Sequence, residues 1–275
     1  MLEHKIPVEL PAGYLNFFKN LESWQNEEMI KLKKVYTPDK KDILKALNNE
    51  KKPFIMQLNP HIEPAVFKDV LVRLIFFLKS ARLEIKDKLE QISQQTDKLD
   101  YDEIIRSFLQ MKYSIIEEIA ISNNLPAELF FFVIDHAMRP LLRIFAEPYT
   151  KELISDVFYW DFPATCPVCG SKSHFSRLRT ETGQRFMFCD RCFSEWKVRY
   201  IFCIHCGHDR PGDITFMSVE SDDAYRLYVC DKCKGYLKTY DERPGGETTD
   251  LFIANIETIY LDLLAKEKGF TNHEQ

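Results

Sequence analysis

The first 165 residues contain no cysteine and are poor in glycine. All eight cysteines then crowd into a window of about 70 residues, so their early absence marks a boundary in composition. Long apolar runs are missing too. Those present, such as Leu74–Leu78, are far too short to span a bilayer, and Met1–Leu10 is mixed in charge, unlike a secretory signal. Both absences point to a cytoplasmic protein with no membrane span. In that compartment thiols stay reduced, and cysteine pairs read as metal or redox sites before they read as disulfides.

Enzyme signatures are absent as well. There is no phosphate-cradling glycine loop, no Gly-x-Ser-x-Gly elbow and no His-Glu-x-x-His helix, so the chain is read as no enzyme, without catalytic residues or an organic cofactor. Nor is there an excess of positive charge: 37 basic residues face 42 acidic ones, a net charge of −5. The cysteine-rich stretch Asp161–Arg243 holds 13 Lys/Arg and 12 Asp/Glu, a formal +1. Eight thiolates and two divalent ions shift that to about −3. Such a surface suits a phosphate backbone poorly, which argues against nucleic acid as a partner. The first 160 residues carry no internal repeat and no low-complexity tract, and nothing in the sequence signals an oligomeric state.

What is present divides the 275 residues into unlike halves. In the first 160, apolar positions recur three and four apart, a helical pattern. The spacing predicts a helix over Phe67–Ile92, with Val70, Leu71, Leu74, Phe77, Leu78 and Leu83 on its apolar side and Lys79, Arg82, Glu84, Lys86 and Lys88 in solvent. A second is predicted over Asp102–Ile121. A third starts at Pro126, whose missing N–H has no intrahelical partner in a first turn, and kinks or restarts at Pro140. The Phe130–Phe132 run reads as core. After Trp160 come short β-compatible segments, Arg185–Cys189, Ile214–Val219 and Ala224–Cys230, separated by turn residues. Pro244-Gly-Gly breaks the chain, and a final amphipathic helix is predicted over Asp250–Lys268, ending at Gly269.

The cysteines fall into four Cys-x-x-Cys knuckles: Cys166/Cys169, Cys189/Cys192, Cys203/Cys206 and Cys230/Cys233. Two knuckles supply four thiolates at tetrahedral separation, as zinc or a single iron requires, so four knuckles make two metal sites. Nineteen residues separate Cys169 from Cys189 and 23 separate Cys206 from Cys230, both comfortable for a hairpin, against 10 between Cys192 and Cys203. Sequential pairing is therefore expected, with a cross-brace as the alternative. Gly170 and Gly207 let the backbone turn beneath the metal and aim N–H groups at sulfur. The plainest reading of such sites is structural, each ion contributing on the order of 10 kcal/mol of folding free energy. Thioredoxin-like redox pairs fit less well, since no βαβ pattern surrounds the knuckles. His174, His205 and His208 lie near complete four-cysteine sets and read as surface or hydrogen-bonding residues. Trp196 reads as a packing residue.

Several stretches together resemble a known family, the formate dehydrogenase accessory protein FdhE: Trp160-Asp-Phe-Pro-Ala-Thr-Cys-Pro-Val-Cys-Gly-Ser171, Gly183-x-Arg185-x-x-x-Cys189-x-x-Cys192, Glu195-Trp196, Cys230–Lys238 and Tyr260–Phe270. The helical half is similar mainly in length and character, with Arg139-Pro-Leu-Leu142 its best local match. One departure is Tyr200, where family members tend to carry arginine; Arg199 sits one position earlier. The resemblance implies a cytoplasmic maturation factor for molybdenum- or tungsten-dependent formate dehydrogenase that contacts the catalytic subunit. It also implies rubredoxin-like sites for iron, with zinc plausible, held by the eight cysteines.

Together these readings give an α+β chain: an all-α helical domain (1–160), two small rubredoxin-like or zinc-ribbon metal modules (161–200 and 201–243) and a C-terminal helix (244–275) packing back. Two other functions compete with maturation. One is redox or sulfur handling at an iron tetrathiolate; the other is nucleic-acid binding by a zinc ribbon.

Overall fold

The three-and-four spacing of the first half produces more, and shorter, helices than periodicity alone predicts. The computed structural model describes residues 8–38, 51–210, 212–219, 222–247 and 249–273, and the chain divides into two units. One is Leu21–Pro148; the other combines the chain up to Asn20 with Tyr149–Gln275. Among the described residues of the first half are helices α1 (Tyr14–Leu32), α2 (Phe54–Leu58), α3 (Pro64–Ala81), α4 (Lys86–Gln95), α5 (Tyr101–Leu109), α6 (Tyr113–Ser122) and α7 (Ala127–Ala146).

Where one helix was expected over Phe67–Ile92 there are two. Arg82 leaves helical geometry at φ −138°, ψ 77°, a 3-10 turn follows over Leu83–Ile85, and Leu83 swings off the apolar side to 72% exposure. The expected helix over Asp102–Ile121 is likewise split, because Met111 turns left-handed at φ 59°. Helix α5 begins where the Asp100 side chain accepts the N–H of Glu103, an N-cap worth about 1 kcal/mol.

Pro126 stands just outside α7, as its cap, and α7 runs unbroken through Pro140 where a kink was expected. Proline inside a helix typically costs about 3 kcal/mol or more, partly because the carbonyl four residues back loses its donor. Here that carbonyl belongs to His136, and Gln25 of α1 supplies a donor instead. Its Nε2 donates to His136 O at 3.2 Å and to His136 Nδ1 at 3.0 Å. Its Oε1 accepts from Arg143 Nη2 at 2.8 Å, and Arg143 Nη1 also donates to Asn26 Oδ1 at 3.1 Å. Around this polar seam, α3 buries Phe67, Val70, Leu71, Leu74, Ile75 and Leu78. From α7 come Phe130, Val133, Ile134, Ala137, Met138 and Leu141.

The second unit carries the cysteines. After a short helix α8 (Thr150–Leu153) come strands β1 (Phe175–Leu178), β2 (Arg185–Phe188), β3 (Glu195–Val198), β4 (Ile214–Met217), β5 (Tyr225–Cys230) and β6 (Tyr236–Asp241), then α9 (Glu242–Gly245), α10 (Leu251–Glu257) and α11 (Ile259–Glu267). The strands form one six-stranded sheet in the order β3-β2-β1-β6-β5-β4. Each ribbon repeats one plan of knuckle, two strands, knuckle, strand. Pairing within each ribbon is antiparallel, and the ribbons join edge to edge through a parallel β1–β6 ladder in which Phe175 faces Lys238 and Leu178 faces Asp241.

Phe175, Phe188, Tyr225, Leu227, Val229, Tyr236 and Tyr240 pack with Leu251, Phe252, Tyr260, Leu261 and Ala265 of α10 and α11 in one buried cluster. The last helix is thus two. Asp250 caps α10, accepting from the N–H groups of Phe252 at 2.9 Å and Ile253 at 3.1 Å. The break falls at Thr258, whose Oγ1 donates to Ala254 O at 2.7 Å. Nearby, buried Lys238 of β6 donates to Asn255 O at 2.8 Å and to Asp262 Oδ2 at 2.7 Å. A cation at a helix C-terminus satisfies carbonyls that have lost intrahelical donors, so the break is stabilised from the sheet. Helix α11 ends before Gly269, at φ 80°. Beyond it Thr271 N–H donates to Lys234 O at 2.7 Å and Tyr236 N–H to Thr271 O at 3.1 Å, which ties the tail to the fourth knuckle.

Candidate metal centres

All four knuckles fold identically. The residue after each second cysteine is left-handed: Gly170 at φ 76°, Phe193 at 63°, Gly207 at 72° and Lys234 at 57°. Its N–H donates back to the carbonyl of the first cysteine, at 3.0, 2.8, 2.9 and 2.9 Å in that order. A second bond closes each loop, from the first cysteine's N–H to Ser171 O (2.8 Å), Ser194 O (2.9 Å), His208 O (2.7 Å) and Gly235 O (2.9 Å). Glycine therefore serves only two of the four turns. The other two hold Phe193 and Lys234 in a conformation that costs a non-glycine residue roughly 1–2 kcal/mol.

These turns bring the sulfurs of Cys166, Cys169, Cys189 and Cys192 together, and separately those of Cys203, Cys206, Cys230 and Cys233, every sulfur of a set within 4.8 Å of the others. The pairing is sequential. Sγ separations are 3.5 Å for Cys166–Cys192, Cys169–Cys189 and Cys203–Cys233, and 3.9 Å for Cys206–Cys230. Four sulfurs bound at about 2.3 Å to one tetrahedral ion lie about 3.8 Å apart, whereas a disulfide needs about 2.05 Å. The chemistry agrees with the distances. Burial pushes the Cys166, Cys192 and Cys203 thiols up, so four thiolates cannot collect here without a compensating cation. Each set can hold one metal ion such as zinc or iron.

Hydroxyls surround the first set. Ser171 Oγ lies 3.2 Å from Cys169 Sγ and 3.1 Å from Cys189 Sγ, and Ser194 Oγ lies 3.2 Å from Cys192 Sγ. Both serines stand two residues past a second knuckle cysteine, a sequence signal passed over in favour of the glycines. The second set receives the Gly235 N–H on Cys233 Sγ at 3.3 Å.

The neighbouring histidines stay outside both sulfur sets. His208 Nε2 pairs with Asp213 Oδ2 at 2.6 Å, and His205 Nε2 donates to Tyr236 O at 3.0 Å. Desolvation holds His174 down to about 4. His273, which the sequence did not single out, donates from Nε2 to Cys233 O at 3.1 Å and packs its ring 4.9 Å from that of His205. Trp196 is fully buried and donates from Nε1 to Pro163 O at 3.1 Å, a packing residue. Tyr200 lies over the guanidinium of buried Arg185 at 5.8 Å, while exposed Arg199 sits over the Phe202 ring at 4.8 Å.

This geometry has relatives. Residues 165–199, which carry the first sulfur set and strands β1–β3, match the family model described as FdhE, central domain. The chain is FdhE-like. Sequence relatives include a "Protein FdhE homolog" of Edwardsiella ictaluri, 34% identical over 109 residues, which are 38% of this chain and 34% of that protein. A "Protein FdhE" of Salmonella choleraesuis is 30% identical over 109 residues, again 38% and 34% of the two chains. The match thus spans about a third of these relatives' length. In fold the likeness reaches further: the crystal structure of the FdhE protein from Pseudomonas aeruginosa superposes with a TM-score of 0.61, covering 98% of this chain and 96% of that one at 14% identity. Helical region, tetracysteine sheet and terminal helices thus share the FdhE architecture. Among the described residues of the FdhE-like chain, no helix is long and apolar enough to cross a membrane.

Proposed function

We propose that this FdhE-like chain is a non-catalytic, cytoplasmic accessory protein for maturation of a molybdenum- or tungsten-dependent formate dehydrogenase, and that it binds the catalytic subunit through its metal-ribbon unit. The observation that carries the reading is the match of residues 165–199 to the FdhE central domain, on the segment that builds the first tetracysteine set. All eight cysteines act as metal ligands: Cys166, Cys169, Cys189 and Cys192 for one ion, and Cys203, Cys206, Cys230 and Cys233 for the other. In this role each ion fixes the shape of its knuckles, and the fused sheet presents them as one rigid surface.

The test is formate dehydrogenase activity in extracts of the source organism lacking this gene, with the catalytic subunit's abundance followed in parallel. Activity lost while the subunit persists, and restored by wild type but not by Cys166→Ala/Cys169→Ala, is expected. Unchanged activity without the gene would overturn the proposal.

A further inference from the structure

The two sulfur sets repeat one backbone plan yet differ in exposure. In the first, Cys166, Cys169, Cys189 and Cys192 are 0%, 4%, 0% and 2% exposed. In the second, Cys203 and Cys230 are buried, Cys233 is half-buried and Cys206 is exposed.

The hydroxyl pattern divides along the same line. Ser171 and Ser194 reach three of the four sulfurs of the first set. Their positional equivalents in the second are His208, engaged with Asp213, and Gly235, where a Cβ would stand 2.5 Å from His205 Cδ2. A hydrogen bond donated to a thiolate draws charge from the sulfur and opposes its protonation; the second set keeps backbone donors, such as the Gly235 N–H on Cys233 Sγ at 3.3 Å, but has no added hydroxyls, so its sulfurs are the less fully held.

Cys206 and Cys233 also line a cleft of about 820 Å³ within the ribbon unit, together with Lys172, His205, Trp160 and Phe202. That volume suits a small molecule, and in its charged lining Lys172, Lys197 and Arg199 outnumber Asp156 and Asp161, which favours one carrying negative charge.

We propose that the second centre is an exchangeable metal site, reached through this cleft by a small anionic thiol, whereas the first centre retains its ion. In the exchange step the incoming thiolate forms a bond to the metal with its lone pair as the Cys206 Sγ–metal bond breaks. The Cys206 sulfur leaves with its electron pair and takes a proton from water, and no electron changes owner. The proposal rests on both sets holding metal, not on the formate dehydrogenase role.

The experiment uses full-length protein loaded with two equivalents of cobalt, its stoichiometry checked by native mass spectrometry. Loss of cobalt–thiolate absorbance to a chromogenic pyridylazo chelator is followed at increasing glutathione. One ion is expected to leave at least tenfold faster than the other, at a rate that rises with glutathione. In maleimide labelling mapped by mass spectrometry, Cys206 is expected to react before any other cysteine. His208→Ser, which restores a hydroxyl at the second centre, is expected to slow the fast phase severalfold, and Ser171→Ala to speed the slow one. Release of both ions in a single phase, a fast phase indifferent to glutathione, or first labelling at Cys166–Cys192 would overturn the proposal. Fewer than two bound ions would remove the metal reading itself, and the proposal with it.

Discussion

Gln25 and Pro140 lie far apart in sequence, yet the structure makes them energetically dependent. Replacing Gln25 by leucine removes the donor to His136 O and an acceptor of Arg143, all inside the helical unit. A buried carbonyl left without a donor costs about 1–3 kcal/mol, and the weakened Arg143 contact about 1 more, so the single change should destabilise that unit by about 2–4 kcal/mol. Pro140→Ala restores an N–H that can reach His136 O along the helix. In the wild-type background that N–H is redundant; in the Gln25→Leu background it replaces the lost donor. The double variant should therefore be more stable than the sum of the singles by about 1–2 kcal/mol. A chain of two units does not unfold as one two-state system, so the assay must report locally. Trp24 serves, since it belongs to α1 and stacks on Phe77 at 5.9 Å. Urea titrations of fluorotryptophan-labelled protein, read from the Trp24 fluorine resonance, give the four free energies. Additivity within about 0.5 kcal/mol would refute the claim that Gln25 stands in for the missing proline N–H.

Three further outcomes are expected. Chelation of both ions should remove on the order of 10 kcal/mol from each ribbon, collapsing amide dispersion in the sheet while the Trp24 resonance of the helical unit stays native; loss of both together would contradict it. At the left-handed turns, Gly207→Ala should destabilise the zinc-loaded sheet by about 1–2 kcal/mol through the backbone alone, because a Cβ there meets no atom within 4 Å. The reverse change Lys234→Gly should be neutral or stabilising by up to about 1 kcal/mol, the relieved strain offset by glycine's freedom in the unfolded chain; urea midpoints read both. Burial holds His174 at about 4, whereas the unfolded imidazole titrates near 6.5. The unfolded state thus binds more protons between those values, and stability is lost as pH falls from about 6.5 to about 4, by as much as roughly 3 kcal/mol. His174→Gln should abolish that share of the slope, and parallel pH profiles for the two proteins would argue against it.

The parts of the fold legible in sequence were those whose causes are local. Knuckle spacing, the glycines at 170 and 207 and the apolar repeat of α3 and α7 act within a few residues, and they led to the two sulfur sets and the helical half. Strands β1, β3 and β6 escaped notice because their charges are satisfied from far away: Arg177 Nη2 donates to Glu195 at 2.6 Å and its Nη1 to Glu242 at 3.0 Å, while Lys238 is held by Asp262. Read locally, such residues look solvated. The helix breaks at Arg82, Met111 and Thr258 bear neither glycine nor proline, so no punctuation announces them. Pro140, which does carry the signal for a break, is overruled by Gln25.

The parallel seam between β1 and β6 has a consequence for biosynthesis. Strand β3, which completes the first ribbon, ends at Val198 and β6, the partner of β1, at Asp241, so at about 5–20 residues per second a growing chain carries a finished first ribbon for roughly 2–9 s before the seam can close. Throughout that interval β1 offers a bare edge, the kind of template on which a neighbouring chain adds a strand. Nascent chains crowded on one polysome are exposed to mispairing until the second ribbon emerges. On the proposed metal role, supply of the ion to Cys203, Cys206, Cys230 and Cys233 would govern not only the shape of the mature sheet but the yield of chains that reach it.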